Sequence, residues 1–391
     1  MTSGKRYVLA AGGTGGHMVP AAALAAELTR RGHAVALVSD ERGVRFPGLF
    51  DGIETRVVPA SRFSGGPIGW LRAANAMRKG RRQARRLYRE FQPSAVVAFG
   101  GYASLPALMA AFSMKVPAII HEQNAVLGRV NRLVAGKVAG IATSYDRVER
   151  LKPKYGQRVH LVGNPVREAV AALRLKPYPP LEADGIFRVL VTGGSQGASI
   201  LSDVVPDGLA LLPVHFRRRL QVTHQARVED IDEVRRKYAQ HEIPAEIATY
   251  LPDLPERLAW SHIVIARAGA STIAELTTAG RPAILVPLPS ATDDHQTANA
   301  REISEAGGAR TIAQRSFNAQ ELAKQIQKLG LEPEALAHAA ACARSVGRPD
   351  AVRDLADLVE SIDADWASAG LGVAQPVRAA TGDAAFARTS A

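Results

Sequence analysis

The sequence predicts an α/β protein of two doubly wound lobes, each a parallel sheet covered by helices. Three observations carry this. Short apolar runs alternate with amphipathic segments along the chain, as repeated β-then-α units feeding a sheet buried on both faces would require. The pattern stops at a polar stretch, Lys176-Pro177-Tyr178-Pro179-Pro180, and restarts at Phe187. Finally, 391 residues exceed the roughly 250–300 at which a single core stops growing.

Taken in order, the first strand is read at Tyr7–Ala11, with a helix over 19–31 after it. Strands Ala34–Ser39 and Thr55–Pro59 follow, then a helix near 68–90. Ala95–Phe99 leads through two glycines into a helix over 103–113, Ala118–His121 leads into one over 126–136, and Gly140–Thr143 closes the lobe. In the second lobe Phe187–Thr192 is a new first strand, with further strands read at Gln221–His224, Ala248–Tyr250, Ile263–Ala266 and Ala283–Pro287 and helices between them. The expected division is a first domain over 1–165 and a second over 166–350, with a linker near 165–187. A helix over 351–363 follows, and the Ala/Gly/Ser-rich stretch 364–391 lacks periodicity and is expected to be a disordered tail.

Composition excludes several classes. At 47% hydrophobic and 22% charged the chain is neither collagen-like, coiled-coil nor wholly disordered. The lone Cys342 rules out an internal disulfide or a multi-cysteine zinc site and points to a reducing compartment. The longest uncharged run, Ser94 to Met114, is broken by Gly100, Gly101 and Pro106, so it reads as strand, turn and helix instead of a membrane span. Lys5 and Arg6 before an apolar run mimic an export signal, but the run ends after about five residues where ~7–15 are needed. The chain is expected to stay in the cytoplasm.

Charge is unevenly divided. Residues 1–165 hold 25 Lys and Arg against 9 Asp and Glu, while residues 166–391 hold 24 against 28. The basic excess therefore belongs to the first lobe and calls for a polyanionic partner, nucleic acid or an anionic membrane. From Arg72 to Arg89 runs a stripe of eight basic residues without an acid, including Arg78, Lys79, Arg81, Arg82, Arg85 and Arg86. Ile68, Trp70 and Leu71 lie just upstream, and apolar groups beside a cationic stripe suit a helix docked at a lipid interface. No aromatic stacking platform or nucleic-acid motif accompanies the charge, so nucleic acid is not the expected partner.

Each lobe opens with a strand running into a glycine-rich turn, Gly12-Gly13-Thr14-Gly15-Gly16-His17 and Gly193-Gly194-Ser195-Gln196-Gly197. Such turns bring backbone amides close to an anion at a helix N-terminus. Neither is a P-loop, and neither fits the dinucleotide fingerprint, although Asp40 after the second strand tempts toward NAD. Plain tight turns remain an alternative. A third loop, Arg267-Ala268-Gly269-Ala270-Ser271-Thr272-Ile273-Ala274-Glu275, could cradle a diphosphate and offer Glu275 to a ribose diol, or Glu275 could simply satisfy the helix dipole. A fourth, Asp293-Asp294-His295-Gln296-Thr297-Ala298-Asn299, groups amides and carboxylates that could read a sugar's hydroxyls.

In this order, with HEQN at 121–124 and GNPVR at 163–167 between them, and GGYAS at 100–104, these segments resemble the MurG family over residues 5 to 360. Its members are glycosyltransferases that move N-acetylglucosamine from UDP onto lipid I, giving lipid II for peptidoglycan. The resemblance implies a GT-B fold, two Rossmann-like lobes facing across a cleft, with the donor held mainly by the second. It implies donor contacts at Ser195, Gln196 and Arg167, uracil against the backbone of Leu251, and the diphosphate cradled by Ala270, Ser271, Thr272, Ile273 and Ala274, with Glu275 on the ribose. Gln296 and, from the first lobe, Asn124 would read the sugar, while His295 stands where a glutamine is expected. Thr14, Gly15 and Gly16, counted with the donor set, would take the acceptor's pyrophosphate. His17 is then the candidate base for the acceptor hydroxyl and Glu122 the alternative.

No cofactor and no metal is expected, since Asp230/Asp232 and Asp363/Asp365 sit in surface-like charged segments. UDP-GlcNAc, lipid I, an anionic membrane and other cell-wall synthesis or division proteins are the implied partners. The implied location is peripheral, on the cytoplasmic face of the bacterial inner membrane. A related UDP-sugar transferase or UDP-GlcNAc epimerase is the competing enzyme reading.

Overall fold

The computed structural model describes residues 4–45, 48–59, 66–182, 184–194, 197–330 and 333–368. The first lobe runs β1 (Arg6–Ala10), α1 (Gly15–Arg30), β2 (Ala34–Ser39), β3 (Glu54–Val57), α2 (Gly66–Phe91), β4 (Ala95–Ala98), α3 (Ser104–Met114), β5 (Ala118–Glu122), α4 (Arg129–Val134), β6 (Gly140–Thr143) and β7 (Val159–Leu161). A short helix, α5 (Glu168–Ala171), leads toward the second lobe. That lobe runs β8 (Phe187–Thr192), α6 (Ser199–Ala210), α7 (Val214–Arg217), β9 (Leu220–Gln225), α8 (Ile231–Gln240), β10 (Ala245–Ala248), α9 (Leu254–Trp260) and β11 (Ile263–Ala266). It continues with α10 (Ala270–Ala279), β12 (Ala283–Leu285), α11 (His295–Glu305), β13 (Ala309–Thr311), α12 (Ala319–Gly330) and α13 (Pro333–Ser345), and the described chain ends in α14 (Ala351–Ser368).

The first sheet has seven parallel strands in the order β3-β2-β1-β4-β5-β6-β7, and the second has six, β10-β9-β8-β11-β12-β13. Both orders reverse beside the first strand of their lobe, which is the doubly wound topology. The central strands are buried throughout, as at Ala95–Ala98 and Ile263–Ala266. Helices cover both faces, so these strands carry continuous apolar runs instead of alternating ones.

Three strand readings needed correction. β10 lies about three residues before the expected Ala248–Tyr250, and the three-residue strands β7 and β13 were not anticipated. All three are edge strands with at least one exposed residue, so no apolar run marks them.

Helix α2 is long because one stripe is small or apolar. Ala73, Gly80, Ala84, Leu87 and Tyr88 are buried on one face, seven, four and three to four residues apart, and Tyr88 donates to the Ala107 carbonyl of α3 at 3.1 Å. The two lobes share an apolar contact, in which Ala125, Val126, Leu127 and Tyr145 of the first pack with Leu251, Ile273, Ala298 and Ile303 of the second.

Helix α14 extends five residues past the expected 363, so residues 364–368 of the expected tail are helical; the remainder, 369–391, lies outside the described residues. It returns to the first lobe, burying Leu355, Ala356 and Val359 beside Leu24 and Leu28 of α1. Arg31 binds Glu27, Asp357 and Glu360, and His33 meets Glu360 at 2.7 Å. Asp363 is not a surface residue as expected but is buried, bonded by Lys5 and by the Tyr7 hydroxyl at 3.4 Å. The helix that follows the second lobe in sequence thus ties that lobe's end to the first.

Candidate active site

Both anticipated glycine turns leave the carboxyl ends of strands where the sheet order reverses, after β1 and after β8, the usual ligand crevice of such sheets. In the first lobe α1 starts at Gly15, four residues earlier than expected, so Gly15, Gly16 and His17 form its first turn. Thr14 is an extended N-cap whose side chain caps nothing. The amides of Gly15 and Gly16 precede the first internal bonds, from His17 N and Met18 N to the Thr14 carbonyl at 3.0 and 3.1 Å. Two amides and a helix dipole then face the crevice, a setting that favours an anion.

Asp40 is built into this turn and is not free for a ribose. Its Oδ1 accepts from Gly13 N at 3.0 Å and Gly43 N at 2.8 Å, and its Oδ2 from Arg42 at 3.3 Å. The NAD alternative falls with it. Arg42, which no motif singles out, lies over the loop: a Cβ on Gly13 would stand 3.1 Å from its Nη2. On the other side Gly101, at φ +78°, approaches so closely that a Cβ there would sit 2.8 Å from the Gly12 carbonyl oxygen. Only glycine fits.

His17 Nδ1 is 2.9 Å from the Gly12 carbonyl oxygen. A carbonyl only accepts, so the proton is on Nδ1 and Nε2 keeps its lone pair. Burial pushes the imidazole below its ordinary 6.5, and His295 of the second lobe pushes the same way; the Gly12 carbonyl, Glu122 and Asp40 oppose. The ring is therefore held in one tautomer, with Nε2 as its basic nitrogen.

Glu122 is a different case. It is 2% exposed, and its oxygens accept from Asn124 N at 3.1 Å, Asn124 Nδ2 at 3.2 Å, Gly128 N at 2.7 Å and Asn131 Nδ2 at 2.8 Å. Four donors occupy the carboxylate, the bonding of a buried group that shapes the loop carrying Asn124.

In the second lobe α10 opens on Gly269, an extended N-cap without a side-chain bond. Its first internal bond runs from Ile273 N to the Gly269 carbonyl at 2.9 Å, which leaves the amides of Ala270, Ser271 and Thr272 ahead of it. The buried Ser271 Oγ has no partner either. Ala270, Ser271 and Thr272 at this turn are small, while Ile273 is buried in the interlobe core. Glu275, 8% exposed, forms an ion pair with Arg167 Nη2 at 2.8 Å. Burial raises its carboxyl and Arg167 opposes that rise. Arg167 and Glu275, expected to meet the donor separately, are thus one coupled pair across the junction of the lobes. The Leu251 side chain is buried in the shared apolar contact, leaving its backbone for recognition. Ser195 and Gln196 lie outside the described residues.

The segment expected to read the sugar meets the first lobe directly. Gln296 Oε1 accepts from Leu288 N at 2.9 Å, which commits the carbonyl and keeps the amide nitrogen as the donor for a hydroxyl. Asn124 Oδ1 accepts from Asn299 Nδ2 at 3.1 Å, and Asn299 Oδ1 accepts from Ala125 N at 2.8 Å. Asn299 is fully buried and was not among the predicted site residues, although its place three residues after Gln296 puts it one turn along the same helix face.

The basic stripe of α2 is narrower than the sequence suggested. Trp70 and Leu71 are 59% and 71% exposed, and Arg78, Lys79, Arg82 and Arg86 are exposed with them. Arg81 and Arg85 are half-buried, with Nε atoms that are buried and unpartnered, so they lie on the flank. The Ile68 side chain lies outside the described residues. Among the described residues no helix is long and apolar enough to cross a membrane, and no three His, Cys, Asp or Glu side chains stand together as a metal site would need.

Two Rossmann-like lobes facing across a cleft, with helix starts on both sides whose first amides are unpartnered, define a protein of the GT-B fold. Residues 7–143 match the glycosyltransferase family 28 N-terminal domain and residues 188–357 its C-terminal domain. A UDP-N-acetylglucosamine–N-acetylmuramyl-(pentapeptide) pyrophosphoryl-undecaprenol N-acetylglucosamine transferase from Zymomonas mobilis is 62% identical over 93% of this chain and 94% of its own. The protein of that name from Erythrobacter litoralis is 62% identical over 92% and 91%. The crystal structure of Acinetobacter baumannii MurG superposes with a TM-score of 0.74 at 28% identity, covering 91% of this chain and 99% of that one. A UDP-GlcNAc 2-epimerase from Neisseria meningitidis, TM-score 0.63 at 12% identity over 91% and 100%, shares the fold alone. The chain belongs to glycosyltransferase family 28 and, within it, to the MurG family.

Proposed function

We propose that this chain transfers N-acetylglucosamine from UDP-GlcNAc to the C4 hydroxyl of N-acetylmuramic acid in lipid I, forming lipid II. The similarity to the named transferases supports the reaction. The observation that carries its chemistry is His17, a neutral imidazole with its Nδ1 proton held by Gly12, opposite the unpartnered helix start at Ala270–Thr272. The hydroxyl attacks the anomeric carbon from the face opposite UDP, and its proton passes to His17 Nε2 as the new C–O bond forms. The bond from that carbon to the phosphate oxygen breaks, and the charge left on UDP is met by the amides of Ala270, Ser271 and Thr272 and the dipole of α10.

Glu275 takes the ribose hydroxyls, giving up part of its bond to Arg167, whose guanidinium then serves the diphosphate. Gln296 and Asn124 read the sugar from opposite lobes. Gly15 and Gly16 hold the acceptor's pyrophosphate, with Arg42 above the loop supplying a cation. Trp70 and Leu71, with Arg78, Lys79, Arg82 and Arg86, seat the first lobe on an anionic bilayer at the cytoplasmic face, where a lipid-linked acceptor presents its head group.

The test is transfer of radiolabelled GlcNAc from UDP-GlcNAc to a short-chain lipid I analogue, with UDP-GalNAc and a lipid-free acceptor as controls. Turnover confined to the first donor and the lipid-linked acceptor is expected. Saturable UDP binding without transfer would overturn the assignment and favour another UDP-sugar enzyme.

A further inference from the structure

The segment between β12 and α11 has an unusual backbone. Asp293 and Asp294 are consecutive left-handed residues, at φ +57° and +52°. Aspartate tolerates that region better than most residues, yet two in succession need outside support. The support comes from the other lobe. Asp293 Oδ2 accepts from Arg132 Nη2 of α4 at 2.7 Å, and its Oδ1 meets Arg150 Nη1 at 2.7 Å. Its side chain is only 17% exposed. Arg150 is itself left-handed, at φ +64°. A second pair, Arg301 to Glu149 at 3.0 Å, and the Asn299 bonds to Asn124 and Ala125 continue the same seam. Residues 293 to 301 therefore span the lobes in one strip, and Gln296 lies within it.

We propose that Asp293 is a positioning residue for the donor sugar. Held by Arg132 and Arg150, it fixes the left-handed turn that starts α11, so Gln296 and, through Asn299, Asn124 are brought to the sugar from both sides only when the lobes are in contact. Asp293 itself pairs with Arg132 and Arg150, apart from the uridine and diphosphate contacts of Leu251, the α10 turn and Glu275; it is Asn299, farther along α11, that touches the α10 loop, at the Ala268 carbonyl at 3.2 Å. Asp293 should therefore govern the sugar and the transfer step without governing nucleotide binding. This rests on the donor reading above.

The experiment compares the full chain with Asp293→Asn, Arg132→Gln and Arg150→Gln, the last at a half-exposed site where folding is not at risk. UDP affinity is measured by calorimetry, and kcat and KM for UDP-GlcNAc are measured with the lipid I analogue. Misplacing sugar contacts by about an ångström can cost up to about a hundredfold. Asp293→Asn is expected to leave the UDP Kd within about twofold and to lower kcat/KM about ten- to hundredfold, mostly in kcat. Arg132→Gln combined with Asp293→Asn should be no worse than Asp293→Asn alone, because both remove one interaction. Unchanged kcat/KM in Asp293→Asn and Arg150→Gln would overturn the proposal, as would equal losses in UDP affinity and turnover. A wild-type chain that binds UDP but transfers nothing from UDP-GlcNAc would instead sink the donor reading on which it rests.

Discussion

Replacing His17 by alanine tests the chemistry at one atom. The imidazole is bonded at Nδ1 to the Gly12 carbonyl at 2.9 Å, so Nε2 is the basic nitrogen, and burial places its titration below 6.5. At pH 7.5 at least about nine-tenths of the rings are then neutral, one unit or more above the midpoint. The rate should accordingly be flat above pH 7.5. Below the midpoint it should fall about tenfold per pH unit as the base protonates. A positioned general base contributes ~10²–10⁴, which is roughly 2.7–5.4 kcal/mol of activation free energy. His17→Ala should therefore lower kcat/KM by that factor, leave the UDP Kd unchanged, and erase the acidic limb set by this group. The assay is the pH profile of kcat/KM for labelled GlcNAc transfer, wild type against variant, because that ratio reports the groups of the unliganded protein. A variant that loses less than about tenfold, or one that keeps the wild-type acidic limb, would refute the base assignment and leave His17 as a residue that merely shapes the loop.

Other outcomes follow from the same structure. Glu275→Ala should weaken UDP about ten- to hundredfold, since hydrogen bonds to a charged group are worth ~1.5–3 kcal/mol, while 2′-deoxy-UDP should lose less; calorimetry showing equal losses for both ligands would reject the ribose contact. Neutralising Arg78, Arg82 and Arg86 together should weaken binding to anionic vesicles about a hundredfold at ~1 kcal/mol each and flatten its salt dependence, whereas changing Arg81 and Arg85 should do less. Vesicle sedimentation that is unaffected by the triple change would remove α2 from the docking surface. Acid should destabilise the fold early. Burial lowers His121 to about 4 and His224 to about 3, from 6.5. The unfolded chain then binds more protons below 6.5, so stability is complete above that value and is lost as pH falls toward 4. By pH 5 the loss is roughly 2 kcal/mol per histidine, before most carboxylates titrate. A midpoint of thermal unfolding that stays level between pH 7 and 5 would contradict it.

Some of this was legible along the chain and some was not. Buried parallel strands read as unbroken apolar runs because both faces are covered, so Ala34–Ser39, Phe187–Thr192 and Ile263–Ala266 were located to the residue. The glycine turns were legible for a related reason: close backbone approach, as at Gly101 against Gly12, admits one residue type, and the sequence must display it. Edge strands β7 and β13 carry no such mark, because an edge buries too little to constrain composition.

Site residues divide the same way. The family resemblance implied roles for His17, Asn124, Glu275 and Gln296, and left His17 and Glu122 as alternative bases. What distinguishes them in the structure is bonding: one nitrogen of His17 is engaged, and both oxygens of Glu122 accept from four donors, which favours the His17 proposal. Arg42 over the first loop, Asn299 behind Asn124, Asp293 between two arginines and α14 returning to α1 all join residues far apart in sequence. Local physics, meaning apolar period and turn chemistry, is written in consecutive residues and so was determined by the sequence itself. Partnership between distant polar groups depends on where the folded sheets bring them, and only the tertiary structure decided it.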